Sequence, residues 1–112
     1  MEEKIKVLYK KLRDIVVEYT YYQSNKNCEQ IKELVTDIQS FIEWFMAGNV
    51  FGIEDEMYVG MCSNLIEILN DIVNSLEIKD HVLLNDTIAY GFMEYLKLFM
   101  SEEEYDEDEI WE

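Results

Sequence analysis

The sequence predicts an all-α protein, an antiparallel up-down four-helix bundle with an acidic C-terminal tail, and three observations carry that expectation. The 112 residues contain no proline and only four glycines, at 48, 52, 60 and 91, so the punctuation that divides a chain into strands and tight turns is missing. Apolar residues recur in alternating steps of three and four along four successive segments, the period of a helix that lays one stripe against its neighbours. The polar breaks between these segments are short enough to join antiparallel helices. The division implied is a bundle domain over residues 1–101 and an acidic tail over 102–112.

The first stripe is Ile5, Leu8, Leu12, Ile15, Tyr19 and Tyr22, widened by Val16. It fades in Gln23-Ser24-Asn25-Lys26-Asn27, a run of turn formers whose last residue is placed to cap the next helix. The second stripe is Cys28, Ile31, Val35, Ile38, Ile42 and Phe45, broadened by Leu34 and Phe41. It stops at Ala47-Gly48-Asn49, with Gly48 suited to the left-handed position after a helix end. Residues 49–56 read as a loop bent at Gly52, and Glu54, Asp55 and Glu56 set three carboxylates on the positive end of the third helix. That helix carries Tyr58, Met61, Leu65, Ile68, Ile72 and Leu76 inward. Asp80 caps a fourth helix, because its short carboxylate reaches the backbone N–H groups two or three residues on. Leu84, Ile88, Tyr95 and Phe99 form the fourth stripe. Gly91 lies on it at a cost of up to about 1 kcal/mol against Ala, so a neighbouring helix is expected to approach closely there.

Charge is polarised along the chain. Residues 1–32 hold seven Lys/Arg against five Asp/Glu, residues 33–112 hold two against twenty, and the total is −16. No basic residue stands between Lys32 and Lys79. Such a surface repels nucleic acid and anionic lipid and attracts basic partners. The one basic patch, Lys4, Lys6, Lys10, Lys11 and Arg13, is a helix end interspersed with acids, which argues against direct nucleic-acid binding and suits attraction of the protein's own tail. The first residues lack the apolar core of a signal peptide, and no stretch approaches the ~18 apolar residues of a spanning helix, so a cytoplasmic protein without membrane partners is expected. Cys28 and Cys62, without Cys-x-x-Cys spacing, read as two buried thiols rather than a disulfide.

The residue types needed for chemistry do not converge. A di-metal bundle site requires Glu-x-x-His pairs from facing helices, and His81 is the single histidine. The run Asp106-Glu107-Asp108-Glu109 has carboxylates but not the glycine-bent loop that arranges calcium ligands. Cys28 and Cys62 both fall on inward stripes, where inert packing is the economical reading, and Gly48 to Gly52 lacks the Lys-Ser/Thr of a phosphate cradle. No catalytic residue, cofactor or metal site is expected.

Candidate partner-binding residues lie elsewhere. The tail sets Tyr105, Ile110 and Trp111 among Glu102, Glu103, Glu104, Asp106, Glu107, Asp108 and Glu109; it reads either as a solvated end or as a motif with aromatic anchors in an acidic field. Tyr19, Tyr21 and Tyr22 cannot all face one stripe, because adjacent helical residues point about 100° apart. An aromatic surface of Tyr21 and Trp44 follows as a second candidate.

The segment Lys79-Asp-His-Val-Leu-Leu-Asn-Asp-Thr-Ile-Ala-Tyr90 resembles one in uncharacterised small acidic helical proteins of Firmicutes, approximately Lys-Asp-Tyr-Val-Leu-Leu-Ala-Asp-Leu-Leu-Glu-Tyr. The resemblance covers about a tenth of the chain, differs at His81 and Thr87 and beyond it at Gly91, and implies a helical bundle without catalytic residues. In size and charge the chain is also similar to bacterial secretion and flagellar export chaperones. The function expected is a non-enzymatic cytoplasmic protein-binding bundle, adaptor or chaperone-like, engaging a basic or amphipathic partner through acidic helices 2 to 4. The alternative is an acidic immunity protein, inhibitor or nucleic-acid mimic that blocks a basic toxin or nuclease. Homo-oligomerisation is left open.

Overall fold

Helices α1 (Glu2–Tyr22), α2 (Asn27–Met46) and α3 (Asp55–Ile78) follow the first three stripes in the computed structural model, which describes residues 1–106. The fourth stripe forms α4 (His81–Thr87), a π-helical turn (Ile88–Phe92) and α5 (Met93–Lys97) in direct succession, and a short α6 (Glu102–Asp106) comes last. Each long helix packs on the next, and the π turn and α5 close the ring against α1. Side-chain bonds confirm the alternating directions: the Tyr58 hydroxyl at the start of α3 donates to the Phe45 carbonyl near the end of α2 at 2.7 Å. The described chain is thus an all-α bundle. Leu12, Ile38, Phe45, Leu65, Ile72, Leu84, Phe92 and Leu96 sit at its centre with no measurable exposure.

Several boundaries fall where the residues place them. Asp80 caps α4, its Oδ1 accepting from the Leu83 N–H at 3.0 Å. Gly52 bends the loop before α3 with φ 75, and the Asn49 side chain ties that loop to the Ile53 carbonyl. Other expectations are corrected. Gly48 is not left-handed: α2 ends with the Ala47 N–H bonded to the Trp44 carbonyl, a tighter three-residue turn that needs no positive φ. Asn27 does not cap α2 but is its first residue, 2% exposed, its amide drawn inward by His81. Tyr22 is 76% exposed and Tyr19 half-buried, with Tyr9 in the core instead. A straight helix drifts about 20° per heptad from a strict 3.5-residue repeat, which carries Tyr22 off the inward face.

The π turn is the largest departure from the expected regular helix. Its defining bond runs from the Met93 N–H to the Ile88 carbonyl, five residues back. The wider turn brings Phe92 fully inward after Ile88, then Tyr95 and Leu96. Gly91 lies inside it, and a Cβ placed there would stand 3.5 Å from Ile68 Cδ1, an ordinary contact. Gly91→Ala should therefore stabilise the fold, by up to about 1 kcal/mol of backbone propensity. Gly91→Leu should destabilise it, because atoms beyond the Cβ would press on the Ile68 side chain of α3. Urea midpoints of the two variants check both signs, and a destabilised Ala variant would mean the π turn itself requires glycine.

Candidate interaction surface

The expected site residues are scattered. Tyr21, 49% exposed, is near the C-terminal end of α1, and Trp44 is near the C-terminal end of the antiparallel α2, so they stand at opposite ends of the bundle and form no common patch. Trp44 is half-buried against Phe41, Phe51 and Phe99, with ring centroids 5.9, 5.3 and 5.2 Å away. Phe51, Phe99 and Phe45 extend this into an aromatic cluster that seals one end of the core. Trp44 is thus a packing residue.

The described part of the tail meets the basic end of α1, as its charge suggested. Glu102, Glu103, Glu104, Tyr105 and Asp106 make up α6, and the Glu104 carboxylate lies 2.6 Å from Lys6 Nζ while accepting from the Ser101 N–H at 2.7 Å. Glu107, Asp108, Glu109, Ile110 and Trp111 lie outside the described residues. The Lys6 hydrogen bond and then that of Ser101 hold the Glu104 carboxyl down from 4.5 to about 2, and Glu104 in turn raises Lys6 above 10.5. A depressed carboxylate contributes attachment that is complete above pH 4.5 and lost as pH falls through about 2; a raised lysine contributes attachment present below 10.5 and lost above its folded value. The Ser101 amide resonance should accordingly stay constant between these limits and move near pH 2, and Glu104→Gln should abolish that step. A wild-type Ser101 transition centred at 4.5 would mean α6 is not held by this pair.

At the opposite end, two helix N-termini clasp one another. Asn27 Nδ2 donates to the His81 carbonyl at 3.0 Å, which turns its Oδ1 toward His81 Nδ1 at 2.5 Å, and Cys28 Sγ is 3.5 Å from that same nitrogen. A Cys–His contact was not anticipated from the sequence, where 53 positions separate the two residues. The amide oxygen only accepts, so Nδ1 carries the proton and presents N–H, not a lone pair, to the thiol. Burial pushes the Cys28 thiol above 9.0 despite the opposing charge of Lys79. A neutral thiol facing a donor is not an activated nucleophile. No group of three His, Cys, Asp or Glu side chains among the described residues is placed to hold a metal ion.

A cavity and a helix face bear on where a partner could dock. One cavity of about 280 Å³ between α1 and α2, floored by Ile5, Leu8 and Phe41, has both signs of charge at its rim in Lys4, Lys11, Glu3 and Asp37. The second feature is on α3. Val59, Cys62, Ile66, Leu69, Val73 and Leu76 alternate steps of three and four, each following a residue of the inward row Tyr58, Met61, Leu65, Ile68, Ile72 and Ser75. The two rows therefore run side by side, about 100° apart around the helix. Leu65, Ile68, Ile72 and Ser75 are buried, whereas Val59, Ile66 and Val73 are 62%, 44% and 37% exposed. Cys62, Leu69 and Leu76 are half-buried, which corrects the expectation that Cys62 and Leu76 point into the core; Ser75 takes the inward position and bonds the Asp71 carbonyl at 2.6 Å. Paired apolar residues at five of the six steps were the available signal, and the sequence reading named a single stripe and left Val59, Ile66, Leu69 and Val73 out.

The stretch of chain that carries this row has charge of one sign. Residues 33–78 contain nine acids (Glu33, Asp37, Glu43, Glu54, Asp55, Glu56, Glu67, Asp71 and Glu77) and no Lys or Arg. Glu56, Glu67 and Glu77 are exposed on α3 itself. No helix among the described residues is long and apolar enough to cross a membrane. Comparison of the chain with protein-family models, with curated proteins and with solved structures gives no match, so its own geometry is the ground on which a function is argued.

Proposed function

We propose that this is a non-enzymatic cytoplasmic protein-binding bundle, adaptor or chaperone-like, that engages a basic, amphipathic partner through the face built by α2 and α3. The observation that carries this reading is the coincidence, on α3, of an exposed apolar row with five acids and no Lys or Arg. Apolar contacts supply the affinity of such a surface, and its uniform charge selects and steers the partner. The same row favours an adaptor over a nucleic-acid mimic, since a mimic needs the acids but not the uncovered valines and isoleucine.

Association with a lysine-rich amphipathic partner should slow several-fold between low and physiological salt, because ions screen charge beyond about 8–10 Å. Dissociation should change much less, since contacts in the apolar row are not screened. Stopped-flow mixing at several ionic strengths separates the two rates. A salt-independent association rate would leave the acidic surface a matter of solubility and remove the ground for this function.

A further inference from the structure

We infer that the cavity between α1 and α2 is a docking site for the protein's own C-terminal segment, residues 107–112, which seats the Trp111 indole in the cavity and sets its acids against Lys4 and Lys11. This site shares no residue with the outer row of α3 and goes beyond the reading just given.

The cavity calls for an apolar anchor. Its floor, Ile5, Leu8 and Phe41, is buried, and its volume is about 280 Å³. An apolar cavity of about 150 Å³ accepts benzene, so the bicyclic indole has room here. Charge narrows the choice of occupant. Residues 4–11 of α1 hold four lysines and no acid. Lys6 is taken by Glu104, whereas Lys4 and Lys11 at the cavity rim have no ion-pair partner among the described residues, although Glu3 and Asp37 share that rim. A basic helix is repelled from such a stretch, while Glu107, Asp108 and Glu109 followed by Ile110 and Trp111 bring the opposite charge together with apolar anchors.

Position brings this segment within reach. Glu104 holds α6 to Lys6, and α6 ends two residues later at Asp106. At about 100° per residue, Lys11 and Lys4 are about 140° and 160° around α1 from Lys6, an arc of about 14 Å on a helix about 11 Å across. Val7, 48% exposed, lies along that arc. The five residues from Asp106 to Trp111 span up to about 17 Å when extended. A tether this short holds its anchor at an effective concentration in the millimolar range, which favours the chain's own segment over that of a second copy.

The test uses the full chain labelled with fluorotryptophan, in which Trp111→Phe identifies the Trp111 fluorine resonance. A neutral gadolinium chelate should broaden that resonance about fivefold less than it does in a synthetic peptide of residues 107–112, since a docked indole is shielded from the chelate. Lys4→Glu combined with Lys11→Glu should restore the broadening seen in the peptide, with the helical spectrum retained because both side chains are exposed. Lys26→Glu combined with Lys32→Glu, the same charge change at exposed sites outside the cavity, should not. Ser40→Tyr, at an exposed position of the cavity wall, should release the indole by filling its place. A Trp111 as accessible as that of the peptide overturns the inference and leaves the α3 reading to its own salt test. Protection that survives the Lys4 and Lys11 reversal, or survives Ser40→Tyr, puts the indole elsewhere and overturns it too. Release by the Lys26 and Lys32 reversal as well would make the attraction one of net charge and not of this site. Protection lost on dilution would assign the cavity to the segment of a second copy, which also overturns docking within one chain.

Discussion

Phe45→Ala is expected to remove about 3–5 kcal/mol of stability, the upper range for a buried aromatic truncation. The ring is fully buried, stacks on Phe51 at 5.1 Å and Tyr58 at 5.5 Å, and meets Tyr95 and Phe99 edge-on at 6.1 and 6.2 Å. Offset and edge-to-face pairs add about 0.5–1.5 kcal/mol each beyond area burial, so several attractions are lost together with the transfer energy. The neighbours belong to the α2–α3 loop, α3 and the end of α5, and a cavity here cannot close by moving one helix alone. Against a typical stability of about 5–15 kcal/mol, this single change takes a large share. Urea unfolding followed by near-ultraviolet circular dichroism measures it, and a loss under about 1 kcal/mol would show that the aromatic cluster is not part of the cooperative core.

Leu65→Ala and Ile72→Ala should cost about 2–5 kcal/mol each, while Ile66→Ala, one residue away, should cost less than about 1 kcal/mol. Leu65 and Ile72 have no measurable exposure, so truncation leaves a void enclosed by packed side chains; Ile66 is 44% exposed, and truncation there opens only onto solvent. The contrast fixes the rotation of α3 about its axis to within one residue. Equal losses at Leu65 and Ile66 would mean that the outer row is covered within the monomer. If only Ile66→Ala destabilised, the inward and outward rows would be exchanged.

The helical positions were legible because burial in a bundle imposes a period that single residues obey: Ile5, Leu12, Ile38, Leu65 and Leu84 each lie where their spacing puts them. Asp80 was legible because a short carboxylate before an apolar run has one economical use. Asn27 was misplaced for the same chemical reason, since an amide that suits a cap equally suits a buried bond to a distant helix, and the choice depends on His81, 54 positions away. The Cys28–His81 contact is likewise tertiary and leaves no local trace. The Tyr21 and Trp44 surface failed because each aromatic was read beside its own stripe, without the end-to-end direction of the helices. The outer row of α3 was present in the sequence, but a segment with two stripes yields to whichever is sought first.

The π turn gives the fourth helix one residue more than its place in the ring requires. Residues before and after a widened turn keep the phase they would have in a regular helix with that residue removed, so the surplus is absorbed between Ile88 and Phe92 without disturbing Leu84 or Leu96. Tyr90, 78% exposed, occupies the outer side of this bulge. A chain lacking that one position could close the turn to an ordinary α-helical one and still deliver Phe92, Tyr95 and Leu96 to the same partners. Length in this helix is consequently negotiable by a single residue at one place, whereas the same deletion in the middle of α3 would rotate every later side chain of that helix by about 100° and take both of its rows out of register.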